Sequence, residues 1–286
     1  MKVSVLAENT VYKKEFLGEH GLSLFLETEV QKNYLFDMGQ TGVFLQNAEK
    51  LSVDLKNLDG VILSHGHYDH CDGMKEWSES KQISEELRSE IPVYLNQKTL
   101  DRKYSKHPKN GEVYYNGIRE DAVCWMQERA NVVCLKEPCT EISENVYLLS
   151  EVPYVTEFET PPERFWKKIS GQLELARDRM EDEQLLVVRE NQGLCVFAGC
   201  AHPGIINCLN HVQRFFPGEH IHSLVAGMHL KGCSQKRLQA TIQALQELEL
   251  DLVVPLHCTG ILEIAAIKKA LGEKCVLAEV GKKIIL

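Results

Sequence analysis

Gly60-Val61-Ile62-Leu63-Ser64-His65-Gly66-His67-Tyr68-Asp69-His70 joins a short apolar run to four side chains able to bind a metal. The apolar part reads as a buried strand. Histidine and aspartate are costly to place at the end of such a strand without partners, so the strand presents them to something. A metal ion is the simplest occupant, since imidazole and carboxylate are ordinary ligands of zinc and of iron-class ions. His65 and His67, at i and i+2, share one side of an extended segment, while Asp69 and His70 on the following turn reach a second position.

Three later apolar runs end the same way. Leu194–Gly199 leads into Cys200-Ala201-His202-Pro203-Gly204, Ser223–Gly227 into Met228-His229-Leu230, and Leu252–Leu256 into His257-Cys258-Thr259-Gly260. Ligands collect at the carboxyl ends of strands in open α/β sheets. The block at 65–70, His202, His229 and His257 therefore predict one shared site. His229 reads equally as a substrate contact or as a hydrogen-bonded structural histidine. Cys200 reads as a thiolate ligand or as a small buried apolar residue. His20, His107, His211, His220 and His222 read as surface or helix residues.

Around these runs the pattern is α/β. Val3–Leu6, Leu22–Thr28, Tyr34–Asp37, Pro92–Leu95, Asn145–Val152 and Gln184–Val188 predict further strands. Helices are expected over 42–50, over 74–90 as one polar surface helix, and over 204–216, 234–249 and 261–271. One domain spanning 1–286 is expected, with excursions at about 96–118 and 156–183. The first excursion is basic, tyrosine-rich and reads as a loop of the lid or binding kind. The second carries Pro161-Pro162 and then a charged stretch read as helical.

Composition excludes several classes of function. The chain has 286 residues, 44% of them hydrophobic and 26% charged, enough for a sizeable core. A net charge of −9 argues against a nucleic-acid partner. No apolar stretch reaches the roughly 18 residues of a membrane span, and the amino-terminal apolar run is too short for a signal peptide. Ten cysteines lie mostly inside apolar runs without disulfide-like spacing. A cytoplasmic location is the expectation. No Cys-x-x-Cys pair points to a zinc ribbon or iron–sulfur site.

His65-Gly66-His67-Tyr68-Asp69-His70 resembles the His-x-His-x-Asp-His signature of the metallo-β-lactamase superfamily, and Asp37 resembles the acidic residue one strand earlier that supports it. The resemblance covers nearly the whole chain and implies a four-layer αββα sandwich, two mixed sheets flanked by helices. Gly199–Asn207, Gly227–Leu230 and His257–Gly260 are similar to the subgroup of 7,8-dihydropterin-6-ylmethyl-4-(β-D-ribofuranosyl)aminobenzene 5′-phosphate synthase-like proteins. The resemblance implies one or two divalent ions, zinc by default with iron or manganese as alternatives. One ion would be held by His65, His67 and His202, the other by Asp69, His70 and His257. Two positions depart from the superfamily pattern. Cys200 stands where many members carry a bridging aspartate, and no Gly-His turn occurs between Glu141 and Glu183, so His202 takes the missing histidine's part.

Asp69 and His229 are the catalytic candidates. Gly204 and Ile205, opening a helix beside His202, are candidates for binding an anion at free backbone N–H groups, with Thr259 beside them. The basic residues Lys98, Arg102, Lys103, Lys106, His107 and Lys109 add cationic candidates. These features point to a small anionic, even phosphorylated, substrate; a homodimer is left open. Two function classes follow. One is a metal-dependent hydrolase or related transferase working through a metal-bound hydroxide or polarised oxygen, including a pterin-type synthase. The other is a metabolite-binding or sensor protein on a retained hydrolase fold. A redox role with two irons lacks its usual flavin-domain partner in this chain.

Overall fold

The structure, a computed structural model, describes residues 1–169 and 174–286. Among these residues one sheet has seven strands, in the order Lys283–Ile285, Lys2–Ala7, Ser23–Glu27, Asn33–Phe36, Gly60–Ile62, Pro92–Asn96 and Asn131–Leu135. The last four run parallel. A second sheet has six, in the order Leu252–Leu256, Ile221–Gly227, Gly193–Ala198, Leu185–Glu190, Val146–Leu149 and Cys139–Ser143, with the first three parallel.

Side-chain alternation explains why these sheets stack. In Gly193–Ala198, Cys195 and Phe197 point to one face, while Leu194, Val196 and Ala198 point to the other. The first face meets Val3, Leu24, Phe36 and Ile62 of the seven-stranded sheet, where the Phe36 and Phe197 rings lie 6.2 Å apart. The second packs on helices Ile205–Phe215, Gln235–Glu247 and Ile261–Leu271, through Leu209, Val212, Leu238, Leu245 and Ile267. On the far side, Leu35, Val61, Leu63 and Val93 pack on Phe44, Trp77 and Met126 from helices Val43–Lys50, Met74–Glu79 and Glu120–Glu128. Helix, sheet, sheet, helix is the expected four-layer sandwich.

Both excursions differ from their reading. The region 96–118 holds strands Lys103–Lys106 and Val113–Tyr115, and the stretch read as helical holds strands Phe165–Lys168 and Leu175–Arg177. Residues 170–173 of that stretch lie outside the described part. The four strands join into one small antiparallel sheet, so the excursions form a single cap. The helix expected over 74–90 is two, Met74–Glu79 and Glu85–Glu90, and the first buries Met74 and Trp77 against the sheet. Helix Glu120–Glu128 and strands Asn131–Leu135 and Cys139–Ser143 were not anticipated. None of the ten cysteines is in a disulfide, and no described helix is long and apolar enough to cross a membrane.

Candidate metal centre

The strand ends converge at one edge of the sandwich. Gly60–Ile62 delivers residues 64–70, Gly193–Ala198 delivers Cys200 and His202, Ile221–Gly227 delivers His229, and Leu252–Leu256 delivers His257. Asp37, Ala201, His229 and His257 each have a positive φ, between 45° and 57°. Non-glycine residues enter that region at a cost of roughly 1–2 kcal/mol each. They do so here where the chain must turn sharply at a strand end, a clustering that marks functional sites. Gly199 permits close approach of the two sheets, since a Cβ there would lie 2.0 Å from Ser64 Oγ.

The donor atoms lie close together. His67 Nδ1 is 3.0 Å from His65 Nε2 and 3.1 Å from His202 Nε2. His70 Nε2 is 3.1 Å from His257 Nε2 and 3.2 Å from Cys200 Sγ, and Asp69 Oδ2 is 3.3 Å from His257 Nε2. Tetrahedral ligands at zinc distances stand about 3.3 Å apart. Cys200 belongs to both groups, His65–Cys200–His202 and His70–Cys200–His257. It thus occupies the shared position between two candidate ion sites.

The hydrogen-bond network decides which atoms face the centre. Ser64 Oγ donates to Asp37 Oδ2 at 2.7 Å and so accepts from His65 Nδ1 at 2.9 Å. His70 Nδ1 donates to the same Asp37 oxygen at 2.6 Å, and His257 Nδ1 donates to Asn9 Oδ1 at 3.0 Å. Each of these rings therefore directs its Nε2 inward, the ring orientation being fixed by its outer partner. His67 Nε2 and His202 Nδ1 are buried with no partner. Burial pushes His65, His67 and His202 well below the usual histidine range, helped at His65 by His70 and at His202 by His229. Neutral imidazoles with converging lone pairs repel unless a cation lies between them, so the donor set fits a metal.

The charges around the centre agree. Burial would strip His70 of a proton, but Asp37 and Asp69 outweigh it and hold it up at about 9. Positive charge is favoured at this point, and an ion serves as well as a proton. Burial, Cys258 and Asp69 hold the Cys200 thiol well above its ordinary value, so a cation against Sγ is what makes it a thiolate. The chain from Cys200 to His202 is held by Glu183, whose carboxylate accepts from the backbone N–H groups of Cys200, Ala201 and His202. Burial and neighbouring Asp182 push Glu183 up to about 8.

A cavity of about 630 Å³ opens onto the cluster. The cap supplies its far wall. Phe165 sets its ring 4.8 Å from that of His67 and 5.0 Å from that of His202. Arg164 Nη2 donates to His229 Nε2 at 3.2 Å. Burial, then Arg164 and Arg237, pull His229 down to about 4, leaving a neutral ring in the cavity wall. Lys106, His107 and Lys231 add basic groups to the same wall.

Thus His65, His67, Asp69, His70, Cys200, His202 and His257 come together, Asp37 braces them, and His229 faces the cavity. The expected anion-binding helix end does not. Gly204 and Ile205 are buried, and Glu159 already accepts from the N–H groups of Ile206 and Asn207 at 3.1 and 2.8 Å. A carboxylate of the chain fills the place meant for a ligand. Thr259 is also fully buried, its Oγ accepting from Met228 N at 3.0 Å. Of the six basic loop candidates, Lys106 and His107 line the cavity, while Lys103 is buried between Asp178 and Asp182. His20, read as a surface residue, is exposed, and its Nε2 also meets Asp69 Oδ2 at 3.2 Å.

Sequence reasoning missed Asn9, His20, Ser64, Arg164, Phe165 and Glu183. Asn9 was discoverable, since it follows strand Lys2–Ala7 as the ligands follow theirs. The acidic run Glu181-Asp182-Glu183 before a buried strand was a second signal.

Such a sandwich, with histidines, aspartate and cysteine gathered where its strands end, defines a class of α/β protein whose strand ends can hold metal ions. The family model described as "Metallo-beta-lactamase superfamily" matches residues 18–129. A crystal structure of a metal-dependent hydrolase of the beta-lactamase superfamily is 32% identical, with a TM-score of 0.84, over 100% of this chain and 99% of that one. The chain belongs to the metallo-β-lactamase superfamily. An uncharacterised Methanocaldococcus jannaschii protein is 29% identical over 90% of each chain. A second protein of that organism, named 7,8-dihydropterin-6-methyl-4-(beta-D-ribofuranosyl)-aminobenzene-5'-phosphate synthase, is 27% identical over 91% of this chain and 88% of its own.

Proposed function

We propose that this protein is a metal-dependent enzyme acting on a small anionic substrate, with a phosphorylated compound the leading class. The single observation that carries the reading is the position of Cys200 Sγ within both donor groups, His65–Cys200–His202 and His70–Cys200–His257. With His67 completing the first and Asp69 the second, two ions fit. Bound ions supply Lewis acidity and lower the pKa of water at the site. The mixture of imidazole, carboxylate and thiolate favours zinc, with iron next; manganese prefers harder oxygen ligands.

The chain's own residues supply the rest. Asp69, at the cavity wall, orients the nucleophile. Arg164, Lys106 and Lys231 attract and hold an anion, and neutral His229 contacts it from the same wall. Phe165 keeps water off the faces of His67 and His202. The synthase name of the 27% identical relative supports a phosphorylated substrate, and the hydrolase description of the 32% identical structure supports hydrolysis.

The test is elemental analysis of protein purified anaerobically without added metal, followed by a screen of phosphoesters, lactones and thioesters with the metal found. The double variant His65→Ala, His67→Ala should lose both metal and turnover. Undiminished turnover in that variant sinks the reading. Tight metabolite binding without turnover at full metal occupancy would replace it with a ligand-binding role.

A further inference from the structure

We infer that His20 is a ligand of the second ion, entering beside Asp69 and His257; this rests on the metal-binding reading above. The imidazole lies outside the superfamily signature but inside the geometry. Its Nε2 is 3.2 Å from Asp69 Oδ2, against 3.3 Å for His257 Nε2 to the same oxygen. Both separations are those of neighbouring ligands on one ion, about 3.3 Å, and His20 would join Asp69, His70, His257 and Cys200 as a fifth donor. The His20 and His257 rings stack at 5.1 Å with an interplanar angle of 27°. The three residues form one donor group in the cavity wall.

The loop carrying His20 is built against the centre. Leu22 N donates to Asp69 O at 3.1 Å, and Gly21 N donates to Asn9 Oδ1 at 3.4 Å, the oxygen that also holds His257 Nδ1. A Cβ at position 21 would fall 2.8 Å from Asp69 O, so glycine there is what lets His20 come this close. On the other side, Glu19 Oε1 accepts from Gln40 N at 2.9 Å. Both neighbours of His20 are thus anchored. The His20 side chain is 53% exposed, whereas the donors His70 and Cys200 are buried.

The competing role is a hydrogen bond from His20 to Asp69 that merely positions the carboxylate. Glutamine distinguishes the two, because its amide still donates but is a poor zinc ligand. Zinc affinity is measured by equilibrium dialysis in a His222→Ala background, which removes the surface trio His220, His222 and Asp251 from the count. His20→Ala and His20→Gln are both expected to keep one tight equivalent and weaken the other by about 100-fold, beyond most of the range for outer partners. The visible spectrum of the second cobalt equivalent should change in both. Wild-type affinity in His20→Gln, or in His20→Ala, overturns the assignment while leaving the metal centre intact. A background protein that binds no zinc overturns the metal reading and this one together.

Discussion

Lys103 Nζ lies 3.0 Å from Asp182 Oδ1, both side chains fully buried, and this pair joins the cap to the loop carrying His65, His67, Asp69 and His70. Asp178 takes the other side of the ammonium at 3.0 Å, and Asp182 Oδ2 accepts from Gly66 N at 2.7 Å. Burial opposes the charge on Lys103, but the two aspartates outweigh it. Removing one partner of a buried ion pair strands the others. Lys103→Met should therefore cost about 3–5 kcal/mol, read as a lower urea midpoint.

Asp37 touches no candidate ion, yet it fixes His70 directly and His65 through Ser64. Asp37→Ala frees both rings to turn or change tautomer. The variant should fold and bind zinc about 10–100-fold more weakly, as measured by competition with a chromophoric chelator.

Arg164 reaches the cavity from the cap and holds His229. Its loss removes one charge-assisted contact to an anionic substrate, worth roughly tenfold in affinity. Arg164→Ala should raise KM about tenfold while kcat changes less. An equal fall in kcat with KM constant would place the arginine in the chemical step instead.

His211 gives a pH dependence away from the centre. Its Nε2 donates to Ser150 O at 2.8 Å, and burial holds its pKa below the ordinary histidine value, the bond to Ser150 only partly offsetting that. The unfolded chain then takes up a proton before the folded one does. Stability contributed at this site is present above about pH 6.5 and falls as pH drops through the folded value. Unfolding midpoints of wild type and His211→Gln, compared between pH 7.5 and pH 5, should converge as the pH falls.

The sandwich was legible because its strands carry strong signals. Buried runs such as Leu252–Leu256 end abruptly in polar chemistry, and Leu209 and Val212 mark a helix face. The cap was not. Its strands are three or four residues long, too short for a period to register, and Lys167, Lys168 and Arg177 sit on a surface sheet where charge is tolerated. His20 was missed for a related reason: its value comes from Asp69, a residue far along the chain, and nothing local distinguishes it. The helix end at Gly204 was misread because its N–H groups looked free. Glu159, which fills it, belongs to a distant loop.

The donors are divided between the two sheets: His65, His67, Asp69 and His70 follow a strand of the first, and Cys200, His202 and His257 follow strands of the second. An ion seated among them works as a rivet through the sandwich. Whatever binds the folded chain and not the unfolded one adds to its stability, about 2.7 kcal/mol at a free concentration of one hundred times Kd. Metal supply would then govern how long this protein lasts as well as how fast it works.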